Sequence, residues 1–236
     1  MKKNTLIFGG TKGIGLVIKR HLDLRGDNII NFSRTVKENK KNIKIDLSNK
    51  LSINNSLKKI NYIKRIDNII FSQRYRGKDW KEDFQVSVFS IDQIIKILKN
   101  KISKNGSVIL IGSISNKAII HDQELSYHLT KSSLEQLTKF YAVRLGKKKI
   151  RFNCILPTKI IKPENSNFFK RKPQGKKIQK LMAKITPLNK MGDSKDVANI
   201  IEFLTNDKSS YITGLSIPLD GGAILQSPES IVKLLK

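Results

Sequence analysis

Residues 3–15 read KNTLIFGGTKGIG, an apolar stretch that runs directly into a glycine-rich turn. The apolar run predicts a buried strand, and the residues after the turn carry apolar side chains at helical spacing. Glycines between a strand and a helix let the backbone approach a pyrophosphate that is held by the helix N-terminus. Gly9, Gly13 and Gly15 therefore predict a nucleotide-binding turn.

The alternation of strand and helix continues along the chain. We predict strands at residues 28–33, 43–47, 67–71, 107–111, 150–156 and 215–219. We predict helices at residues 50–60, 84–102, 126–146 and 195–204. Short apolar strands linked by helices are typical of a parallel sheet that is covered on both faces. We therefore expect one α/β domain over residues 1–236, with a doubly wound, Rossmann-type parallel sheet of about seven strands.

The periodic pattern weakens between Pro157 and Pro187, where the sequence is polar and rich in lysine. Phe168 and Phe169 are isolated apolar residues within it. We predict that residues 157–187 form a mobile substrate-binding lid with one or two short helices, within the same domain.

The composition is that of a globular protein. The chain has 236 residues, of which 39% are hydrophobic and 28% are charged, enough for one sizeable core. The sequence has no apolar run that approaches the length of a membrane span, and its first apolar run meets Gly9 too early for a secretory signal. Cys154 is the only cysteine, and the three histidines show no metal-ligand spacing with it. We expect a soluble cytoplasmic protein with no disulfide and no metal site.

The formal net charge of +27 leaves two interpretations open. A field of this sign attracts nucleic acid, anionic membranes and acidic proteins. Lysine is also abundant wherever any polar residue would serve, which indicates compositional drift. The basic clusters at 147–149 and 170–172 lie between predicted elements and lack regularly interleaved aromatic residues. Drift is therefore favoured over nucleic-acid or membrane binding, and an acidic protein remains a candidate partner.

The end of the second predicted strand bears on which nucleotide is bound. NAD-binding proteins place a carboxylate there for the ribose 2′-hydroxyl, whereas this chain has Ser33, Arg34 and Thr35. Arg34 and Lys12 are cationic donors suited to a 2′-phosphate, although solvated surface charges are also typical of so basic a chain. NADPH is therefore favoured over NADH. Asp46, near the end of the third predicted strand, is a candidate acceptor for the adenine amino group.

A phenol and an ammonium share one helical face at Tyr127 and Lys131. A cation at this spacing favours the phenolate, which suits the phenol for proton transfer. Ser113 follows the predicted strand at 107–111, so its hydroxyl is expected at the carboxyl edge of the sheet, where α/β proteins bind ligands. A tyrosine–lysine pair alone occurs by chance. Together with Ser113 and the glycine turn, it predicts a catalytic group of three residues.

The chain resembles a classical short-chain dehydrogenase/reductase along almost its whole length, and most of all the bacterial 3-oxoacyl-[acyl-carrier-protein] reductase branch. The resemblance rests on the glycine turn, on the serine and on the tyrosine–lysine pair. It rests also on segments in the family's order and spacing: YHLTKSSLEQLT at 127–138, IRFNCILP at 150–157, PLNKMG at 187–192, DVA at 196–198, YITG at 211–214 and DGG at 220–222.

The resemblance implies an oxidoreductase that transfers hydride between a nicotinamide and a carbonyl or alcohol carbon. Tyr127 would act as general acid and base, Ser113 would hydrogen-bond the substrate carbonyl, and Lys131 would hold the nicotinamide ribose. A homo-oligomer, tetramer or dimer, is also implied. The residues expected at the cofactor are Gly9, Thr11, Lys12, Gly13, Ile14, Gly15, Ser33, Arg34, Asp46, Leu47, Ser72, Tyr127, Lys131, Pro157 and Ile160.

Three departures from the family pattern bear on turnover. The family's Asn-Asn-Ala-Gly after the fourth strand is FSQR at 71–74, which puts the large cation Arg74 beside the cofactor. The helix asparagine that completes the family's catalytic set is replaced by Ser87, which we expect to hold the proton-relay water in its place. The Pro-Gly after the sixth strand is Pro157-Thr158.

The leading hypothesis is an NADPH-dependent carbonyl reductase or alcohol dehydrogenase that acts on a 3-oxoacyl thioester or on a sugar or polyol carbonyl. Fold and family do not determine the substrate. The alternative is a catalytically impaired protein of the same fold that binds nucleic acid or a protein partner through its basic surface. The departures and the charge favour the alternative, whereas the retained Ser113, Tyr127 and Lys131 favour the enzyme.

Overall fold

The computed structural model describes residues 2–235, and within that range the central feature is a parallel sheet of seven strands. The strands are β1 (Asn4–Phe8), β2 (Asn28–Ser33), β3 (Asn42–Lys44), β4 (Ile66–Phe71), β5 (Ile102–Ile111), β6 (Arg151–Pro157) and β7 (Ser216–Leu219). Their spatial order is β3-β2-β1-β4-β5-β6-β7, and each neighbouring pair is parallel. The predicted doubly wound Rossmann-type sheet is confirmed, with its switch point between β1 and β4.

Helices provide the crossovers that parallel strands require. They are α1 (Gly13–Leu24), α2 (Lys50–Lys58), α3 (Trp80–Phe84), α4 (Ser90–Leu98), α5 (Leu125–Gly146), α6 (Ser166–Arg171), α7 (Pro173–Lys184), α8 (Ser194–Leu204) and α9 (Pro228–Leu235). A π-helical turn, Gln85–Phe89, joins α3 to α4. Over residues 2–235, no helix combines the length and the apolar composition that crossing a membrane requires.

The central strands β1, β2, β4 and β6 are buried on both faces, which explains their apolar runs. Ile53 of α2, Ile94 of α4 and Leu134 of α5 belong to the cluster on one face. Ile18 of α1 and Ile201 of α8 belong to the cluster on the other. Burying a side chain of this size contributes about 1.5–3 kcal/mol. The two clusters therefore hold the strand ends in a rigid frame, from which the loops of the site extend.

Several element boundaries differ from the sequence prediction, and two of the differences have a clear structural cause. The helix predicted to end at 102 ends at Leu98, because Ile102 pairs with Ile66 and begins β5. The third strand ends at Lys44 instead of 47, because the Asp46 amide donates to the Ser52 hydroxyl of α2 and the chain turns into that helix. Helix α9 was not predicted.

The segment predicted as a lid contains two helices, α6 and α7, after a 3-10 turn at Pro163–Asn165. Its base is attached to the start of α8, since both the amide and the hydroxyl of Ser194 donate to the Ile161 carbonyl. Phe169 of α6 is 2% exposed. Residues at the beginning of this segment line a cavity together with Ser113 and Tyr127, so it lies over the carboxyl edge of the sheet.

Candidate active site

The glycine turn between β1 and α1 has no room for side chains at two positions. Gly9 has a φ of +91°, and a Cβ there would lie 2.8 Å from the backbone nitrogen of Gln73. A Cβ on Gly15 would lie 2.2 Å from the Gly9 carbonyl oxygen. The turn therefore packs backbone against backbone at the end of β4, where the Ser72 amide donates to the Phe8 carbonyl over 2.8 Å.

Hydrogen bonds attach the same turn to β2. The Gly9 amide donates to the Phe32 carbonyl over 2.8 Å, and the Gly10 amide donates to Oδ1 of Asn31 over 2.9 Å. Lys12, the N-cap residue of α1, supplies no side-chain cap to the first helical turn. Uncapped amides at a helix N-terminus that follows such a turn are suitable donors for a phosphate group.

A first cavity, of about 260 Å³, lies beside the turn at the ends of β1 and β2. The Asp46 carboxylate in its wall is oriented by Ser48, whose amide and hydroxyl donate to Oδ1 over 3.0 and 2.7 Å. The predicted cofactor residues that line this cavity are Gly9, Thr11, Lys12, Ser33, Arg34, Asp46, Leu47 and Ser72.

A second cavity, of about 350 Å³, adjoins the first, and Lys12, Ser72 and Arg74 line both. The other predicted site residues in its wall are Gly13, Ile14, Ser113, Tyr127, Lys131, Pro157 and Ile160. The two cavities thus bring together every predicted site residue except Gly15 and Ser87. Gly15 instead allows the close approach within the turn.

Ser113, Tyr127 and Lys131 meet at the end of β5. Ser113 is 5% exposed, and its Oγ accepts a hydrogen bond from the Ser115 amide over 3.2 Å. Lys131 is also 5% exposed, and its Nζ donates to the Ile111 carbonyl over 3.2 Å. That ammonium lies 5.6 Å from the centre of the Tyr127 ring. The end of the strand therefore fixes the lysine beside the phenol.

Arg74 also lies against Tyr127. Its guanidinium carbon is 5.1 Å from the centre of the tyrosine ring, and its Nη2 donates to Oε1 of Gln123 over 3.0 Å. The aromatic ring thus has two cations near it, one from α5 and one from the loop after β4. The departure at residues 71–74 therefore reaches the centre of the site.

Ser87 lines neither of the two cavities. It is 5% exposed within the π-helical turn, and its hydroxyl donates to Oδ1 of Asp83 over 2.8 Å. Its neighbour Val86 is the residue of this turn that lines the first cavity. A relay role for Ser87 stays a prediction.

Sequence reasoning did not place Arg76, Lys159 and Lys162 at the site, yet all three line the second cavity. The available signal was their position, since each follows the carboxyl end of a parallel strand, β4 or β6. Partial burial, followed by repulsion from Arg74 and Arg76, lowers the pKa of the Lys162 ammonium, although Glu164 acts in the opposite direction.

Comparisons with known sequences agree with this geometry. A family model described as Enoyl-(Acyl carrier protein) reductase matches residues 71–223. The chain is 26% identical over 245 residues to a 3-oxoacyl-[acyl-carrier-protein] reductase of Buchnera aphidicola, covering 94% of this chain and 97% of that protein. It is 28% identical over 239 residues to an L-xylulose reductase of Bos taurus, covering 93% and 96% respectively.

Another match is partial. The chain is 34% identical over 128 residues to an uncharacterized oxidoreductase of Schizosaccharomyces pombe, covering 54% of this chain and 48% of that protein. This match therefore spans about half of the relative's length. Among solved structures, a short chain dehydrogenase family protein from Francisella tularensis superposes with a TM-score of 0.81 at 28% identity, over 96% of this chain and 100% of that one.

Proposed function

This chain belongs to the short-chain dehydrogenase/reductase family, and we propose that it is an NADPH-dependent oxidoreductase that interconverts a carbonyl and an alcohol. One observation carries the proposal. The glycine turn and the group formed by Ser113, Tyr127 and Lys131 open into two adjoining cavities. A dinucleotide that spans both would have its two ends in chemically different surroundings.

The residues present fit such a cofactor. The crowded glycines Gly9 and Gly15 and the uncapped start of α1 suit a pyrophosphate. Arg34, exposed at the end of β2, lines the first cavity together with Lys12. Two cationic donors suit a ribose 2′-phosphate, which supports NADPH over NADH. When bound, this cofactor supplies the hydride.

The protein's own side chains would handle the proton. In the direction of reduction, the Tyr127 phenol donates its proton to the carbonyl oxygen, and the Ser113 hydroxyl hydrogen-bonds the same oxygen. The Lys131 ammonium, held by the Ile111 carbonyl, stabilises the phenolate that remains. General acid catalysis of this kind contributes roughly 10²–10⁴-fold to the rate. In the direction of oxidation, the same phenolate accepts the proton.

Two classes of substrate are proposed, and the names of the relatives support both. One relative is named for a 3-oxoacyl-[acyl-carrier-protein] and the other for L-xylulose. A carrier-linked thioester also suits the net charge of +27, because a basic surface steers acidic partners.

The test is NADPH oxidation with 3-oxoacyl thioesters and with ketoses, measured for the wild-type protein and for Tyr127→Phe. We expect the variant to retain NADPH binding and to lose roughly 10²–10⁴-fold in turnover. Tyr211→Phe is the matched control, since Tyr211 is fully exposed. Absence of NADPH binding by the wild type, or equal turnover by Tyr127→Phe, would contradict the proposal.

We propose further that the active form is a homo-oligomer. The outer face of α5 exposes Leu129, Phe140 and Val143, with exposed fractions of 43%, 47% and 79%. Apolar side chains grouped on one helix are typical of a surface that a second copy covers. Light scattering of the purified protein tests this directly, and a monomer at assay concentrations would contradict it.

A further inference from the structure

The second cavity is strongly cationic. Its lysine and arginine residues are Lys12, Arg74, Arg76, Lys131, Lys159 and Lys162, against the carboxylates Asp122 and Glu164. In the proposed function, Lys12 binds the cofactor and Lys131 stabilises the Tyr127 phenolate. The other cations have no part in the proposed reaction, which suggests that they serve the substrate.

Of these cations, Arg74 is the one that lies against the Tyr127 ring. Its guanidinium stands over the Tyr127 ring, with 5.1 Å from its carbon to the ring centre. Its Nη2 is bonded to Gln123, which lies in the loop between Ser113 and α5. Because a guanidinium has five donors, this bond leaves several free for another acceptor. They lie next to the group that would protonate the carbonyl.

Lys162 lines the same cavity from the segment after β6. It lies within electrostatic reach of Arg74, Arg76 and Tyr127, and its backbone amide is held by Oδ1 of Asn165 over 2.7 Å. Burial and like-charge repulsion lower the pKa of this ammonium, partly offset by Glu164. An anion bound between Arg74 and Lys162 would relieve that repulsion.

The phosphates of the cofactor are the competing ligand for these cations. Arg74 and Arg76 line both cavities, so a pyrophosphate is within their range. Lys162, however, lines only the second of the two cavities. The guanidinium of Arg74 is hydrogen-bonded to Gln123, which also lines only the second cavity. The positions of Arg74 and Lys162 therefore favour an anion of the substrate, rather than the cofactor phosphates, as the ligand of these two cations.

We propose that Arg74 and Lys162 form an anion subsite that selects substrates with a carboxylate or phosphate close to the carbonyl that Tyr127 protonates. This proposal rests on the carbonyl–alcohol chemistry of the proposed function, and it adds small anionic carbonyl compounds as the preferred substrate class, in place of neutral ketoses and carrier-linked thioesters. Arginine binds either group through two parallel hydrogen bonds, and the lysine adds a second charge. A neutral carbonyl compound offers neither cation an anionic group.

The experiment uses matched pairs of substrates that differ in the anionic group: pyruvate and methyl pyruvate, acetoacetate and ethyl acetoacetate, dihydroxyacetone phosphate and dihydroxyacetone. We expect kcat/KM to favour the anionic member by roughly tenfold or more in the pair that fits. In Arg74→Gln and Lys162→Gln this ratio falls towards one. The carboxylate and phosphate pairs distinguish the two sources of the anion.

A control variant and a binding measurement complete the test. Lys147→Gln removes one positive charge from a separate basic cluster, so at fixed ionic strength it keeps the wild-type ratio. Calorimetry then compares malonate and inorganic phosphate with neutral malonamide, on the free protein and on its NADP+ complex. We expect one of the anions to bind and the double variant Arg74→Gln/Lys162→Gln to lose that binding.

The outcomes separate this inference from the proposed function. Normal NADPH binding with equal use of neutral and anionic partners overturns the subsite alone. Weaker NADPH binding in Arg74→Gln and Lys162→Gln, with an unchanged substrate ratio, assigns these cations to the cofactor and also overturns it. Failure of the wild type to bind NADPH overturns the proposed function, and malonate or phosphate binding to the free protein still decides the subsite.

Discussion

The two ends of the proposed active site are built in opposite ways. At the glycine turn, Gly9 and Gly15 bring backbone against backbone with no space for a Cβ. At the end that holds Tyr127, long charged side chains such as Arg74 and Lys162 extend from loops into the cavity. Main-chain geometry suits a ligand shared by many enzymes, whereas side chains on loops can be exchanged without disturbing the sheet. In the proposed function, the first end would hold the phosphates of the cofactor, and the second would receive the nicotinamide and select the substrate.

The largest expected effect belongs to the chemical end. Lys131→Met removes the ammonium that lies 5.6 Å from the Tyr127 ring, and we expect turnover to fall roughly 10²–10³-fold because the phenolate loses its cation. Lys139→Met is the control, since Lys139 lies on the same helix with 54% of its side chain exposed. Steady-state assays with NADPH measure both variants. Similar rates for the two would show that Lys131 does not support the phenol.

The next-largest effect is expected at the glycine turn between β1 and α1. Gly15→Ala places a Cβ 2.2 Å from the Gly9 carbonyl oxygen, so the backbone must move. We expect a loss of about 1–3 kcal/mol in the free energy of unfolding, together with greatly weakened NADPH binding. Gly146→Ala, where a Cβ meets open space, is expected to be neutral or slightly stabilising. Denaturant unfolding and a fluorescence titration check both, and a Gly15→Ala protein with wild-type affinity would rule out the crowded turn as the binding element.

Arg34→Ala tests the choice between the two nicotinamide cofactors. We expect NADPH affinity to fall roughly 10- to 100-fold while NADH affinity stays the same, because in the proposed complex the lost donors would face the 2′-phosphate. Arg144→Ala, whose guanidinium stacks on Phe140, controls for the loss of a positive charge. Equal losses of NADPH and NADH affinity in Arg34→Ala would place the arginine elsewhere on the cofactor.

The smallest effect is expected for a hydrogen bond between α4 and α5, in the part of the fold that supports both ends of the site. Tyr141 of α5 donates to Oδ1 of Asp92 in α4 over 2.6 Å, and Tyr141→Phe is expected to cost about 1–2 kcal/mol in the free energy of unfolding without changing turnover. A rate that falls as steeply as the stability would show that this bond also shapes the site.

The pH dependence of this bond follows from both partners. Burial and then the bond to Asp92 raise the pKa of Tyr141, so its contribution is lost as the pH rises through the phenol's folded-state value. Burial opposes ionisation of Asp92, but hydrogen bonds from Lys96 and Tyr141 outweigh it and lower its pKa. That contribution is lost as the pH falls through the carboxyl's folded-state value. The difference between wild type and Tyr141→Phe is therefore expected to be largest between roughly pH 4 and 10.

The sheet and the glycine turn were predictable because local pattern determines them. Apolar runs such as VILI at residues 108–111 are readable along one chain. The predicted end of the α4 helix at residue 102 was wrong, because Ile102 fits a helical pattern equally well. Its true place in β5 depends on pairing with Ile66, which is distant in sequence. Helix α9 has no described residue that is buried, so no core pattern marks it.

The end of the site that holds Tyr127 was predictable from the sequence only in part. The spacing of Tyr127 and Lys131 indicates that they share a helical face, and Arg74 was noticed only as a departure from a family pattern. Its position over the Tyr127 ring depends on Gln123, which is distant in sequence. Lys162 reaches the cavity because the segment after β6 lies over the sheet edge, and a single sequence has no local signal for that.

The most direct test of the account is a crystal structure of the protein in complex with NADP+. We predict that the 2′-phosphate lies beside Arg34, that the pyrophosphate lies at the glycine turn and that the nicotinamide lies beside Tyr127 and Lys131. A complex with the nicotinamide outside the cavity that holds Tyr127, or crystals that take up no nucleotide at saturating concentration, would contradict the proposed active site.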